Sequence, residues 1–168
     1  MITPDYCQMM ARYNAWQNIG LRDMVAAMPD VELRRDRGAF FGSILATINH
    51  ILWADQMWMS RFEKSDPPKL GGKDSVNATP DVTTWSAERA PMDDRIAHWA
   101  DCVSADALAS DLSWYSGLKK SDVTMPMARC VAHVFNHQTH HRGQVHAMLT
   151  AAGLHPQDTD LFLMPEPA

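Results

Sequence analysis

Histidine is the residue type with unused chemistry in this chain. Five of the eight histidines fall in one stretch, Ala132-His133-Val134-Phe135-Asn136-His137-Gln138-Thr139-His140-His141-Arg142-Gly143-Gln144-Val145-His146. Neutral imidazole is a common ligand of divalent metals. A helix stacks residues four apart on one face, so two imidazoles at that spacing can grip one ion. Two such pairs are present, His133/His137 and His137/His141. All three cannot serve one ion, because His133 and His141 lie about 12 Å apart along a helix axis while a metal–nitrogen bond is about 2.1 Å. His140 is turned by about 100° from His141, and His146 is also rotated away. Spacing alone leaves both pairs open.

A third ligand must come from another element. His50 is the single histidine of the segment 42–62. It sits at the edge of an apolar stripe of Ile44, Ile48 and Ile51, between the small residues Thr47 and Ala54, which leave room for an ion or ligand. Three imidazoles on facing helices leave coordination positions open, as in catalytic rather than structural metal sites. A lone bundle histidine is more often a hydrogen-bonded core or surface residue, and one HxxxH pair is a weak signal. The metal reading rests on the two pairs and His50 together.

The elements that position these residues read as four helices. The first starts at Thr3-Pro4, an N-cap followed by proline in the first turn, carries Met9, Met10, Tyr13, Trp16 and Met24, and stops before Pro29. The second covers 42–62, with Trp58 and Phe62 extending its apolar stripe. The third lies near 85–103, with Ile96 and Trp99 inward and Pro91 threatening a displaced start or a kink. The fourth covers 126–152, between Pro126 and Gly153. The connector 63–82 is rich in proline and glycine. The connector 106–125 is also long, and 112–115 and 122–125 can form a short extended pair about Gly117. The expected fold is a single all-α domain over 1–168, a four-helix bundle with long connectors after helices two and three.

Composition narrows the function. The 168 residues are 46% hydrophobic and 21% charged, an ordinary globular balance. Fifteen Lys and Arg against twenty Asp and Glu give a net charge of −5, which disfavours nucleic acid or an anionic membrane as the main partner. The uncharged stretch 38–54 holds Ser43, Thr47, Asn49 and His50 and reads as a buried helix rather than a membrane span. Cys7, Cys102 and Cys130 are odd in number and widely spaced, as expected of reduced cytosolic thiols. With no visible signal peptide, the expected location is cytoplasmic.

Asn49-His50-Ile51-Leu52-Trp53-Ala54-Asp55 with Trp58 and Phe62, the stretch His133 to Gln144, and Tyr13-Asn14-Ala15-Trp16-Gln17-Asn18 together resemble the DinB family (DinB/YfiT-like proteins). The similarity spans nearly the whole chain, and His141-Arg142-Gly143-Gln144 is its most specific piece. The resemblance implies an up-down-down-up four-helix bundle, often a homodimer. It also implies a divalent metal, zinc or nickel first among the candidates, held by His50, His137 and His141, with His133 a neighbour. Family activities include metal-dependent thiol transferases and isomerases. By that resemblance the expected function is transfer of a low-molecular-weight thiol, such as glutathione or bacillithiol, to an electrophilic small molecule, or a related hydrolase-like reaction. The alternative is a non-catalytic bundle stapled by its metal and acting as a stress-linked interaction module. A DNA-binding role is disfavoured by the acidic balance.

Three more residues are candidates for the surroundings of the site. Asp55 lies one turn after Ile51 on the apolar stripe, where a carboxylate is costly unless paired, and Arg142 is its expected partner. Gln144, three residues after His141, can orient a ligand imidazole or a metal-bound water. No residue stands out as a separate general base. Gly143 costs about 1 kcal/mol relative to alanine in mid-helix and suggests a close helix approach. Cys130 reads as a small buried apolar residue.

Overall fold

The computed structural model describes residues 2–166. Four long helices carry the architecture: α1 (Pro4–Ala26), α3 (Ile44–Glu63), α4 (Val82–Cys102) and α6 (Met127–Ala151). Two short helices, α2 (Asp30–Arg34) and α5 (Ala105–Ala109), and one hairpin, β1 (Asp111–Ser116) with β2 (Ser121–Pro126), lie between them. None of the short helices was legible as a periodic segment, because one turn and a half cannot show a period of 3.6 residues.

Local chemistry sets the helix starts. Thr3 Oγ1 accepts from the Tyr6 N–H at 3.2 Å, Ser43 Oγ from Ala46 at 3.2 Å and Asp81 Oδ1 from Thr84 at 2.8 Å. Each cap satisfies a donor that the first turn leaves orphaned. The Asp81 cap starts α4 well before Pro91, so the proline lies inside a continuous helix and costs one backbone hydrogen bond rather than displacing the start. The extended pair expected over 112–115 and 122–125 is present as a hairpin, which pairs Leu112 with Met125 and Tyr115 with Asp122.

α1 lies against α4 and α6, and α3 lies against α4 and α6. The four thus close a ring around one core, in which Ile44, Ile48 and Leu52 of α3 meet Trp85 and Ile96 of α4 and Val131, Phe135 and Leu149 of α6. Cys7 and Cys130 are buried and Cys102 is exposed, all three as free thiols. No helix among the described residues is long and apolar enough to cross a membrane.

The inward face of α1 differs from the expected methionine and aromatic stripe. It buries Tyr13, as expected, but otherwise Asn14, Gln17 and Asn18 beside Cys7, Ala11 and Val25. The reason is a polar network through the core. Asn14 and Asn18 donate to Asp93 Oδ1 at 3.0 and 2.8 Å. Arg89 pairs with Asp55 at 2.7 Å and with Asp93 at 2.9 Å, and Gln138 donates to the other oxygen of Asp55 at 2.8 Å. Arg142 donates to Asn14 Oδ1. The contacts run from Gln138 of α6 through α3, α4 and α1 and return to α6 at Arg142, one turn further on. This corrects the expected Asp55–Arg142 pair. Both oxygens of Asp55 are engaged, by Arg89 and Gln138, and Arg142 is directed instead toward α1, with Tyr13 under its guanidinium at 5.9 Å.

Candidate metal centre

The closed network fixes how α6 is rotated. Gln138 and Arg142 are held on the core side, and their sequence neighbours His137 and His141 are turned toward α3. There they meet His50. One ring nitrogen from each of His50, His137 and His141 lies within 4.8 Å of the others. The Nε2 atoms of His50 and His137 are 3.1 Å apart. Two nitrogens bound to one tetrahedral ion at about 2.1 Å sit about 3.4 Å from each other. His50 and His137 are thus already near the spacing of two ligands of one ion, and a nitrogen of His141 lies within 4.8 Å of both.

The rings are held from behind. His141 Nδ1 lies 2.8 Å from Gln144 Oε1. An amide oxygen only accepts, so His141 carries its proton on Nδ1 and keeps a lone pair on Nε2. His50 Nδ1 lies 2.9 Å from Ser75 Oγ, which leaves His50 Nε2 facing His137. Ser75 is fixed in turn by Asn49, whose amide donates to the carbonyls of Val76 and Thr79 at 3.0 Å each. Such outer contacts set ring orientation and tautomer in metal sites.

Burial also keeps the rings neutral. Desolvation, then the proximity of His141, lowers the His50 pKa to about 4. Desolvation and the neighbouring histidines lower His137 to about 3. His141 is lowered by burial, with the Gln144 hydrogen bond opposing. Aromatic rings frame the cluster: Phe41 has its centroid 4.1 Å from that of His50 and 5.3 Å from that of His141, and Trp53 stacks on His50 at 6.2 Å.

His133 and His140 adjoin the cluster, with centroids 5.5 Å from His137 and 4.9 Å from His141, without joining the converging nitrogens. His133 rests on Trp58, with centroids 5.1 Å apart, and is not one of the three converging rings. His140 meets the Gln144 amide at 3.3 Å, and His146 faces the carbonyl of Gln157 on the side of α1. Asp55 and Arg142 belong to the core network rather than to the ring cluster, whereas Gln144 touches His141 directly. Sequence reasoning missed Ser75, Phe41 and Arg89. Ser75 lies in a 3-10 turn (Gly72–Asn77) of the connector, with no local signal. Arg89 had one: it sits seven residues before Ile96, on the same face of α4.

A ring of helices with three imidazoles converging between two of them defines a helical bundle whose histidine cluster is compatible with a divalent metal. The chain belongs to the DinB family, whose match covers residues 1–168. It is similar in structure to a DinB-like protein from Bacillus cereus ATCC 10987, with a TM-score of 0.62 and 18% identity over 87% of this chain and 90% of that one. At that identity the likeness bears on the fold. No curated protein matches the sequence.

Proposed function

We propose that the chain is a divalent-metal-dependent enzyme that transfers a low-molecular-weight thiol to an electrophilic small molecule. The observation that carries the reading is the convergence of three neutral imidazoles within 4.8 Å, with no carboxylate or thiol joining them. His50, His137 and His141 would hold the ion. Three protein donors leave coordination positions open, which favours catalysis over a closed structural staple. When bound, the cation would supply Lewis acidity that lowers the pKa of a thiol toward neutral pH.

The other residues have supporting tasks. Gln144 Oε1 accepts from the His141 Nδ1–H and Ser75 Oγ pairs with His50 Nδ1, which aims both Nε2 atoms inward. Phe41 and Trp53 exclude water from the His50 side and offer an apolar wall to an electrophile. With no acidic group in the cluster, the thiol proton leaves to solvent.

The test uses untagged protein loaded with zinc or nickel, a panel of glutathione, bacillithiol and cysteine, and chlorodinitrobenzene as electrophile. Metal-dependent conjugation that disappears in His137→Ala is the expected result. Absence of conjugation with every thiol rejects the reading.

A further inference from the structure

A cavity lies on the side of α6 away from the histidine cluster. It has a volume of about 210 Å³ and is enclosed by α1, α6 and the C-terminal segment around Pro156–Thr159. None of the three converging histidines lines it. The C-terminal segment is tied down over it: Tyr13 Oη donates to the Thr159 carbonyl at 2.6 Å, and Gln157 covers Gly20 so closely that a Cβ there would meet its amide at 2.3 Å.

Its wall is mostly apolar, with Leu21, Met24, Val145 and Leu149 among its residues, and no Asp or Glu faces it. Two polar side chains on the wall are underused. Gln17 is 6% exposed, and its Nε2 has no hydrogen-bond partner. Arg142 is 9% exposed, and among the described residues only Asn14 accepts from it, through one terminal nitrogen. Several other wall groups are occupied: Tyr13 by Thr159, Thr139 by the Phe135 carbonyl, His146 by the Gln157 carbonyl and the Gln157 amide nitrogen by the Trp16 carbonyl. Unpaired donors in a buried setting are costly unless a ligand accepts from them. A guanidinium with free N–H groups matches a carboxylate in shape and charge.

We propose that this cavity is a separate binding site for a small amphipathic monocarboxylate, with its carboxylate on Arg142 and its apolar body along Leu21, Met24, Val145 and Leu149. The space equals about seven water molecules at ~30 Å³ each, which suits a short-chain or single-ring acid. One cation in an apolar wall favours such an acid over inorganic phosphate. The proposal is independent of the metal reading.

Isothermal titration calorimetry on the full chain tests it, with octanoate and phenylacetate as probes and their primary amides and inorganic phosphate as controls. Titrations are run on protein as purified and after chelation, so that a carboxylate bound to metal is distinguished from one bound in the cavity. Both acids should bind one per chain with Kd tighter than about 1 mM, with or without chelator, and at least about 10-fold tighter than the amides or phosphate. An added Cβ at Gly143, on the cavity wall, meets nothing within 4 Å, so Gly143→Leu should fill the cavity and leave the helix intact. Gly143→Leu should abolish binding without lowering Tm. Arg142→Gln, with its fold checked by circular dichroism, should weaken it at least about 10-fold. Absence of binding, equal binding of acid and amide, dependence on metal, or unchanged affinity in the folded variants would overturn the proposal.

Discussion

His50 and His137 are separated by 87 residues in the chain and by 3.1 Å at their Nε2 atoms. Two bare lone pairs at that distance repel, and the folded chain tolerates the contact only with a shared proton or a cation between them. The low pKa values of both rings oppose a second proton. The N–H of one neutral ring can fill the gap between the pair, and a divalent ion could satisfy both nitrogens together with His141.

The first prediction separates ligands from neighbours. His50→Ala, His137→Ala and His141→Ala should each lower zinc or nickel affinity by at least about 100-fold, since each removes one of three donors. His133→Ala should leave it nearly unchanged. Competition against a chromogenic chelator measures this, and a loss in His133→Ala equal to the others would reassign the site.

A second prediction concerns the groups behind the rings. Ser75→Ala and Gln144→Leu should reduce metal affinity by about 10- to 100-fold while the circular dichroism spectrum stays unchanged. Unaltered affinity in both variants would show that the rings hold their orientation without them.

Arg89 is 1% exposed and faces Asp55 and Asp93. Burial disfavours its charge, but the two carboxylates outweigh burial and raise its pKa. Arg89→Met leaves both acids buried without their cation and should cost about 3–5 kcal/mol in urea unfolding. A cost below about 1 kcal/mol would mean that the network contributes little.

A fourth prediction is the pH dependence of the metal-free protein. His50 and His137 titrate near 4 and 3 in the folded chain against a usual 6.5. As pH falls through about 6.5 the unfolded chain takes up protons that the folded rings refuse, so stability declines until these rings protonate near pH 4 and 3. Above about pH 7 the two groups contribute no slope. Tm should therefore fall on acidification in the wild type and fall less in His137→Gln. Parallel Tm profiles for the two proteins would contradict the burial of these rings.

Sequence alone determined the parts that depend on near neighbours. Helical periodicity, the Thr3 cap, the glycine after α6 and the hairpin about Gly117 are properties of a few adjacent residues, and the observed elements follow them. The i,i+4 spacing limited the α6 ligands to two pairs, and the likeness of the motifs to one family singled out His137 and His141. Tertiary structure decided the rest. That Asp55 meets Arg89 rather than Arg142, that Ser75 stands behind His50, and that Gln17 and Arg142 share a cavity wall all depend on how helices are rotated against one another. That rotation is fixed by pairing the buried groups of the network, Asp55, Arg89, Asp93, Asn14 and Arg142, across four helices. Such a constraint couples residues far apart in the chain and leaves no trace in any local pattern.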